Sequence, residues 1–179
     1  NTTANEEKLT MAKYKLTESG VQDTETGAFI PNAPGNRHWT EYQEWLLEPG
    51  NVPDPMYSGA ELKAQKKAWI TAKREEVING GITFEGHTYQ TDDRSRENVS
   101  GLVAAMGAAV PLPANFIFRD ANNVDVPMTS TTLAELGGTM IAHVNTAYKT
   151  SWTLKAAVDA LDENSASLQA DLDAIVWPA

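Results

Sequence analysis

From Ser58 onwards, apolar residues recur at the three- and four-residue spacing of helices, and this pattern predicts four helices. The first begins at a capping box, Ser58 to Glu61, and ends at Asn79-Gly80-Gly81, where glycine favours a left-handed exit. The second begins at a capping Asp92 or Asp93. The predicted apolar faces are, helix by helix, Leu62, Trp69, Ile70 and Val77; Val99, Leu102, Val103 and Met106; Leu133, Leu136, Met140, Val144, Ala147, Trp152, Val158 and Leu161; and Leu168, Leu172 and Ile175.

Two short segments between these helices alternate apolar and polar residues, which predicts two β-hairpins. In the first, Glu85-Gly86 forms a two-residue turn that pairs Ile82 with Tyr89 and Phe84 with His87 on one face. In the second, a turn at Asn122-Asn123 joins two runs with apolar residues at alternate positions. These are Phe116 and Phe118, then Val124, Val126 and Met128.

These segments predict one compact α+β domain over residues 58–179, in the order α-β-β-α-β-β-α-α. Because a two-stranded ribbon is barely stable by itself, we expect the two hairpins to join into one small antiparallel sheet packed against the helices. The long third helix is expected to bend near Gly137-Gly138 and to be separated from the fourth by Asp162 to Ser165.

Residues 11–57 are rich in proline, glycine, asparagine and threonine and predict an arm without long regular elements. Val21 to Ile30 predicts a short hairpin, and Trp39, Tyr42, Trp45 and Leu46 predict one face of a short helix. Two interpretations of this aromatic face stay open. Trp39, Tyr42 and Trp45 either hold the arm onto the main domain or anchor a binding partner.

Charge and composition narrow the classes of partner. The chain has 179 residues, no cysteine and a net charge of −10, which repels phosphate backbones and anionic lipids. We therefore expect neither nucleic acid nor a membrane as partner. The polar start lacks a signal-peptide core, so we expect a soluble chain that is not exported, with residues 1–10 a tag or linker.

A search for catalytic and metal-binding patterns found none that is specific. The histidines, His38, His87 and His143, lie in different predicted elements and share no metal-ligand spacing. Asp120, Asn122 and Asp125 lack the calcium-loop pattern, and a hairpin turn explains them. There is no nucleophile elbow and no phosphate-binding glycine loop. We therefore expect no enzymatic activity, no cofactor and no metal.

Four segments in order give the chain a family resemblance. They are AKREEVINGGITFEGHTYQTDDRSRENVSGLVAAM (72–106), FRDANNVDVPMTSTTLAEL (118–136), MIAHVNTAY (140–148) and LDAIVW (172–177). They resemble the domain of unknown function found in bacteriophage and prophage tail-fibre-associated proteins, with Phe118 where that family commonly has tryptophan. The stretch GVQDTETGAFIPNAPGNRHWTEYQEWLLEPGNVPDP (20–55) is similar to the N-terminal module of phage tail-fibre assembly proteins.

The resemblance implies a phage tail setting but no catalytic residue. The expected function is tail-fibre assembly, as a chaperone, or a structural role in the virion, through binding to a tail-fibre or baseplate protein. The expected location is the virion tail or the host cytoplasm during assembly, and a homo-oligomer is compatible with either role. The alternative is a receptor-binding tip module, in which exposed tryptophan and tyrosine rings stack on host surface glycans.

Overall fold

The computed structural model describes residues 12–178, and these form two compact units that divide between Ser58 and Gly59. The prediction made for residues 1–10 lies outside this range.

The first unit is built on a three-stranded antiparallel sheet and one helix. Its strands are β1 (Tyr14–Thr17), β2 (Gly20–Asp23) and β3 (Phe29–Pro31), in that spatial order, and its helix is α1 (Arg37–Leu46). The Asn36 side chain caps α1 by accepting hydrogen bonds from the amides of His38 and Trp39. The predicted hairpin and helix are confirmed, but the sequence pattern missed β1.

The second unit has α+β architecture, as the sequence predicts, with the elements in the predicted order. They are α2 (Gly59–Asn79), β4 (Ile82–Phe84), β5 (His87–Tyr89), α3 (Asp93–Gly107), β6 (Ile117–Arg119), β7 (Asp125–Pro127), α4 (Ser130–Ala160) and α5 (Leu168–Ala174). Asp92 caps α3 by accepting from the Ser95 amide, as one of the two predicted alternatives.

The first hairpin of this unit has the predicted register. Ile82 pairs with Tyr89 and Phe84 with His87, and the turn residues Glu85 and Gly86 have positive φ angles of 47° and 81°. A two-residue turn of this kind matches the right-handed twist of the strands, so its length determines which residues face each other.

The two hairpins do not join into one sheet, which corrects the prediction. Strands β4 and β5 form one two-stranded sheet, and β6 and β7 form another. One backbone hydrogen bond connects them, from the Ala121 amide to the Thr88 carbonyl (2.8 Å). The remaining connection runs through side chains, including Tyr89 and Phe118, whose ring centroids are 6.0 Å apart. Side-chain packing thus replaces the backbone ladder that was expected.

Helix α4 is the central element of the second unit, because both of the unit's hydrophobic clusters include it. The cluster around its N-terminal half contains Leu133 and Leu136, and the cluster around its C-terminal half contains Val158 together with Ile70 of α2. The helix is continuous through Gly137 and Gly138. The bend expected near this pair stays a prediction.

Candidate functional site

Trp39, Tyr42 and Trp45, the predicted partner-binding residues, lie on one face of α1 and pack against the sheet of the first unit. The ring centroids of Tyr42 and Trp45 each lie 5.1 Å from that of Tyr14 in β1, and Trp39 lies 5.0 Å from Tyr42. These edge-on and tilted geometries are favourable for aromatic pairs. Together with Val21 and Ile30 the rings form the core of the first unit.

Burial separates these three residues into two groups. Tyr42 is only 4% exposed, and burial raises the pKa of its hydroxyl. Its side chain is therefore a core component of its own unit, and partner binding through Tyr42 stays a prediction. Trp39 and Trp45 are half-buried. Partner binding through their remaining exposed edges stays a prediction.

An exposed aromatic and aliphatic surface lies on α4 in the second unit. Ile141, Asn145, Tyr148 and Trp152 follow one another at intervals of four, three and four residues, so they form one stripe along the helix. Ile141 is 62% exposed and Trp152 is 61% exposed. Tyr148 is half-buried, and its ring centroid lies 6.0 Å from that of Trp152. We call these four residues the α4 stripe.

Trp152 was predicted to belong to the core, and the structure shows that this is wrong. The buried positions in this part of α4 are Ala147, Ser151 and Val158, which share one face of the helix. Trp152 follows Ser151 and is rotated away by about 100°. The prediction for Trp69 of α2 is also corrected, since that residue is 41% exposed, with the Lys66 ammonium 4.4 Å from its ring centroid.

The charged residues around the stripe leave a local excess of positive charge. The Arg74 guanidinium of α2 lies 4.4 Å from the centroid of the Tyr148 ring, and Arg74 is also paired with Glu75 (2.5 Å). Lys149 and Lys155 precede and follow Trp152 by three residues and are thus its neighbours on the helix surface. Neither lysine forms an ion pair within residues 12–178.

Beside Ile141 the stripe borders a groove of about 220 Å³ between α3 and α4. Gly137, which lines the groove, lies close to α3. A Cβ atom added there would lie 3.2 Å from Cγ2 of Val103 and 3.5 Å from Cγ1 of Val99. The groove is lined by the apolar side chains of Val99, Met140 and Val144 and by the polar side chains of Arg96, Ser100 and Asn145.

His87 and Asp120 form a polar pair in the second unit. Nδ1 of His87 donates to Oδ2 of Asp120 (3.1 Å), while Oδ1 accepts from the amides of Asn122 (2.8 Å) and Val124 (2.9 Å). The hydrogen bond from the Val124 amide, followed by those from His87 and Asn122, holds the pKa of Asp120 below its ordinary value. The pair thus joins the first hairpin to the turn of the second.

This arrangement has only part of what catalysis requires. Among the hydrogen bonds of residues 12–178, His87 has Asp120 as its only partner, so no hydroxyl is positioned against the other ring nitrogen.

Within the same range, no group of three or more histidine or acidic residues could hold a metal ion. None of the described helices has the length and apolar content needed to cross a membrane.

Comparison with known proteins places the second unit in a family. A family model described as Domain of unknown function (DUF4376) matches residues 61–176. The chain belongs to this family. The DUF4376 region begins in the first turn of α2 and includes the α4 stripe, the groove and the His87–Asp120 pair. Comparisons with curated proteins and with solved structures found no match.

The sequence contains a signal for the α4 stripe in addition to the single apolar face from which the helix was predicted. Ile141, Tyr148 and Trp152 form a second row of apolar and aromatic residues beside the core row. When a helix has apolar residues on two faces, packing against one neighbouring element buries only one of these faces. In the DUF4376 unit, this second row marks the exposed stripe.

Proposed function

We propose that the chain is a tail-fibre-associated assembly or structural protein of a bacteriophage or prophage, and that it acts by binding other proteins. The phage setting is supported by the order of the four sequence segments given above. The observation that best supports protein binding is the α4 stripe. It exposes Ile141 and Trp152 on a rigid helix whose core face is already filled by other residues.

The direct test is a co-purification experiment with the full chain. The tagged chain is expressed together with the tail-fibre and baseplate proteins of the same phage, and complexes are identified by mass spectrometry. We expect a stable complex with one of these proteins. Failure to bind any of them would contradict the proposal. Mass spectrometry of purified virions then distinguishes a structural role, in which the chain is present, from a chaperone role, in which it is absent.

The exposed indole of Trp152 also supports the alternative of a glycan-binding tip module. Its neighbour Tyr148 lies 6.0 Å away, and two adjacent rings of this kind can stack against sugar rings. A glycan array probed with the full chain separates the two functions. Specific binding to a host glycan that is lost in Trp152→Ala would favour the tip module, and an array without signal would favour the assembly role.

A further inference from the structure

We propose that the α4 stripe is the docking site for an acidic amphipathic helix of a partner protein. This inference rests on the proposed function, because it names the kind of segment that a tail partner presents to the chain. It is supported by three properties of the surface, namely its shape, its charge and its neighbouring groove.

The shape of the stripe fits a helix better than a strand. An incoming strand needs a free backbone edge with which to hydrogen-bond, and the backbone groups in the middle of α4 are used within the helix. The stripe residues are spaced four, three and four apart, which is the spacing at which side chains of one helix pack between those of another. From Ile141 to Trp152 the stripe is about 16 Å long, or three turns.

The unpaired charges beside the stripe are opposite in sign to the net charge of the chain. The chain carries a net charge of −10, yet two acidic residues of this region form ion pairs, Glu75 with Arg74 and Asp159 with Lys67. Lys149 and Lys155 remain without a partner within residues 12–178. A docked segment with acidic residues flanking its apolar row would complement these two ammonium groups.

The groove beside Ile141 supplies a place for an anchor. Its apolar lining of Val99, Met140 and Val144 accepts an aliphatic side chain, while Trp152 offers a flat aromatic surface at the other end of the stripe. A helix with apolar residues at its first, fourth or fifth, eighth and twelfth positions would reach both ends. Binding energy in such contacts is concentrated in the few residues that fill pockets or cover aromatic rings.

A second copy of the chain fits this surface less well than an acidic partner. A two-fold dimer would place one stripe on the other and thus bring two sets of unpaired lysines into one interface. Two chains of net charge −10 also repel each other at long range. An anionic membrane or a nucleic acid presents an extended negative surface to the whole chain, and the net charge of −10 disfavours it. A short acidic segment meets mainly the two lysines beside the stripe, because charges farther away than about 8 Å are screened at physiological salt. These occupants therefore become outcomes of the test.

The probe is a synthetic peptide of 16 residues with leucine at positions 1, 5, 8 and 12 and glutamate or alanine elsewhere. Its binding to the full chain is followed by fluorescence anisotropy at low and at physiological salt. Two comparison peptides are a scrambled version of the same composition and a version with lysine in place of each glutamate. We expect the acidic amphipathic peptide to bind at least about tenfold more tightly than either, and more weakly at higher salt.

Variants then locate the binding surface. Trp152→Ala should lower the affinity for the acidic peptide by about tenfold, since the substitution removes an exposed aromatic anchor. Lys149→Glu should lower the affinity for the same peptide and make that affinity less dependent on salt concentration. The matched controls are Trp69→Ala, which removes another partly exposed tryptophan, and Lys13→Glu, which makes the same charge change in the first unit. Both controls should bind as the unchanged chain does.

The proposal is overturned if the acidic amphipathic peptide fails to bind, if the scrambled or lysine peptide binds as tightly, or if Trp152→Ala binds normally. Self-association lost in Trp152→Ala, seen by sedimentation, would instead identify a second copy as the occupant. Binding to phosphatidylglycerol vesicles through the same residues would identify a membrane. If a tail-protein complex forms and persists in Trp152→Ala, this inference is overturned and the proposed function is retained. If the peptide binds through the stripe but no tail-protein complex forms, the docking site is supported and the proposed function is contradicted.

Discussion

Two adjacent residues of α4 occupy environments opposite to their chemistry. Ser151 is fully buried, and its hydroxyl has no hydrogen-bond partner within residues 12–178, whereas Trp152 is mostly exposed. Ala147, one turn earlier, is also buried, so the face that α4 turns inward here is made of small side chains. Small residues allow helices to pack closely. The position of Ser151 is thus explained by its size, and its polarity has no compensating contact in the structure.

Ser151→Ala should therefore stabilise the chain, by about 1 kcal/mol, because it removes a buried hydroxyl without a partner and improves helix propensity. The measurement is urea unfolding followed by circular dichroism. Trp152→Ala is the neighbouring control and should change the free energy of unfolding by no more than about 0.5 kcal/mol, as expected of an exposed residue. A Ser151→Ala variant less stable than the unchanged chain would show that the hydroxyl has a partner.

The glycine pair in α4 gives a second residue-level prediction. A Cβ at Gly138 would have no atom within 4 Å, so Gly138→Ala should stabilise the helix by about 0.5–1 kcal/mol. At Gly137 the same change brings a Cβ to 3.2 Å from Val103, which must then move. Gly137→Ala should therefore be less stable than Gly138→Ala in the same unfolding experiment. Equal stability of the two variants would show that Val103 of α3 moves away from the new Cβ without lowering the free energy of unfolding.

At the level of elements, the two hairpins of the second unit depend on each other through few contacts. A single backbone hydrogen bond, the His87–Asp120 pair and the packing of Tyr89 against Phe118 connect them. Asp120 also fixes the turn between β6 and β7 by accepting from two backbone amides. One carboxylate therefore supports both the turn and the junction between the hairpins.

The lowered pKa of Asp120 predicts a pH dependence with a definite sign. The folded state favours the ionised carboxylate, so its contribution to stability is complete above the ordinary aspartate pKa of about 4 and is lost as the pH falls through the lower folded value. Asp120→Asn should lower the melting temperature at pH 7, and the difference from the unchanged chain should shrink in more acidic buffer. Asp125→Asn is the control at an exposed position of the same hairpin. A difference that stays constant down to pH 2 would contradict this account.

The elements could be predicted where local chemistry decides them. The two-residue turn at Glu85-Gly86 fixed a register that the structure confirms, and the cap at Asp92 marked the start of α3. Strand β1 was missed because its four residues, Tyr14 to Thr17, are too few to give a clear pattern. It is stabilised by distant contacts, with Asp54 pairing along its outer edge.

The candidate site was harder to predict than the fold. Burial of Tyr42 and exposure of Trp152 both depend on which helix face meets another element, and periodicity alone does not specify this when a helix is apolar on two sides. The failure of the hairpins to share one sheet has a similar origin. Packing of Tyr89 against Phe118 holds them together at a distance where a backbone ladder does not form.

For the molecule as a whole, the excess of acidic residues governs colloidal behaviour. The net charge of −10 at pH 7 should keep chains apart, and this repulsion disappears near the isoelectric point of about 4.7. Light scattering measured against pH should therefore reach its maximum between about pH 4 and 5. Lys149→Glu should move the maximum to lower pH. A maximum near neutral pH would show that surface patches, and not net charge, control association.

The length of α4 limits how sequences with this architecture can vary. The helix has 31 residues, about 46 Å, and supplies core side chains to one cluster near its start and to another near its end. Inserting or deleting one residue between Met140 and Ala147 would rotate the later half by about 100° and turn Val158 away from Ile70. Relatives should therefore show length changes in the loops before β6 and after α4, and within α4 they should keep the same number of residues or differ by a whole heptad.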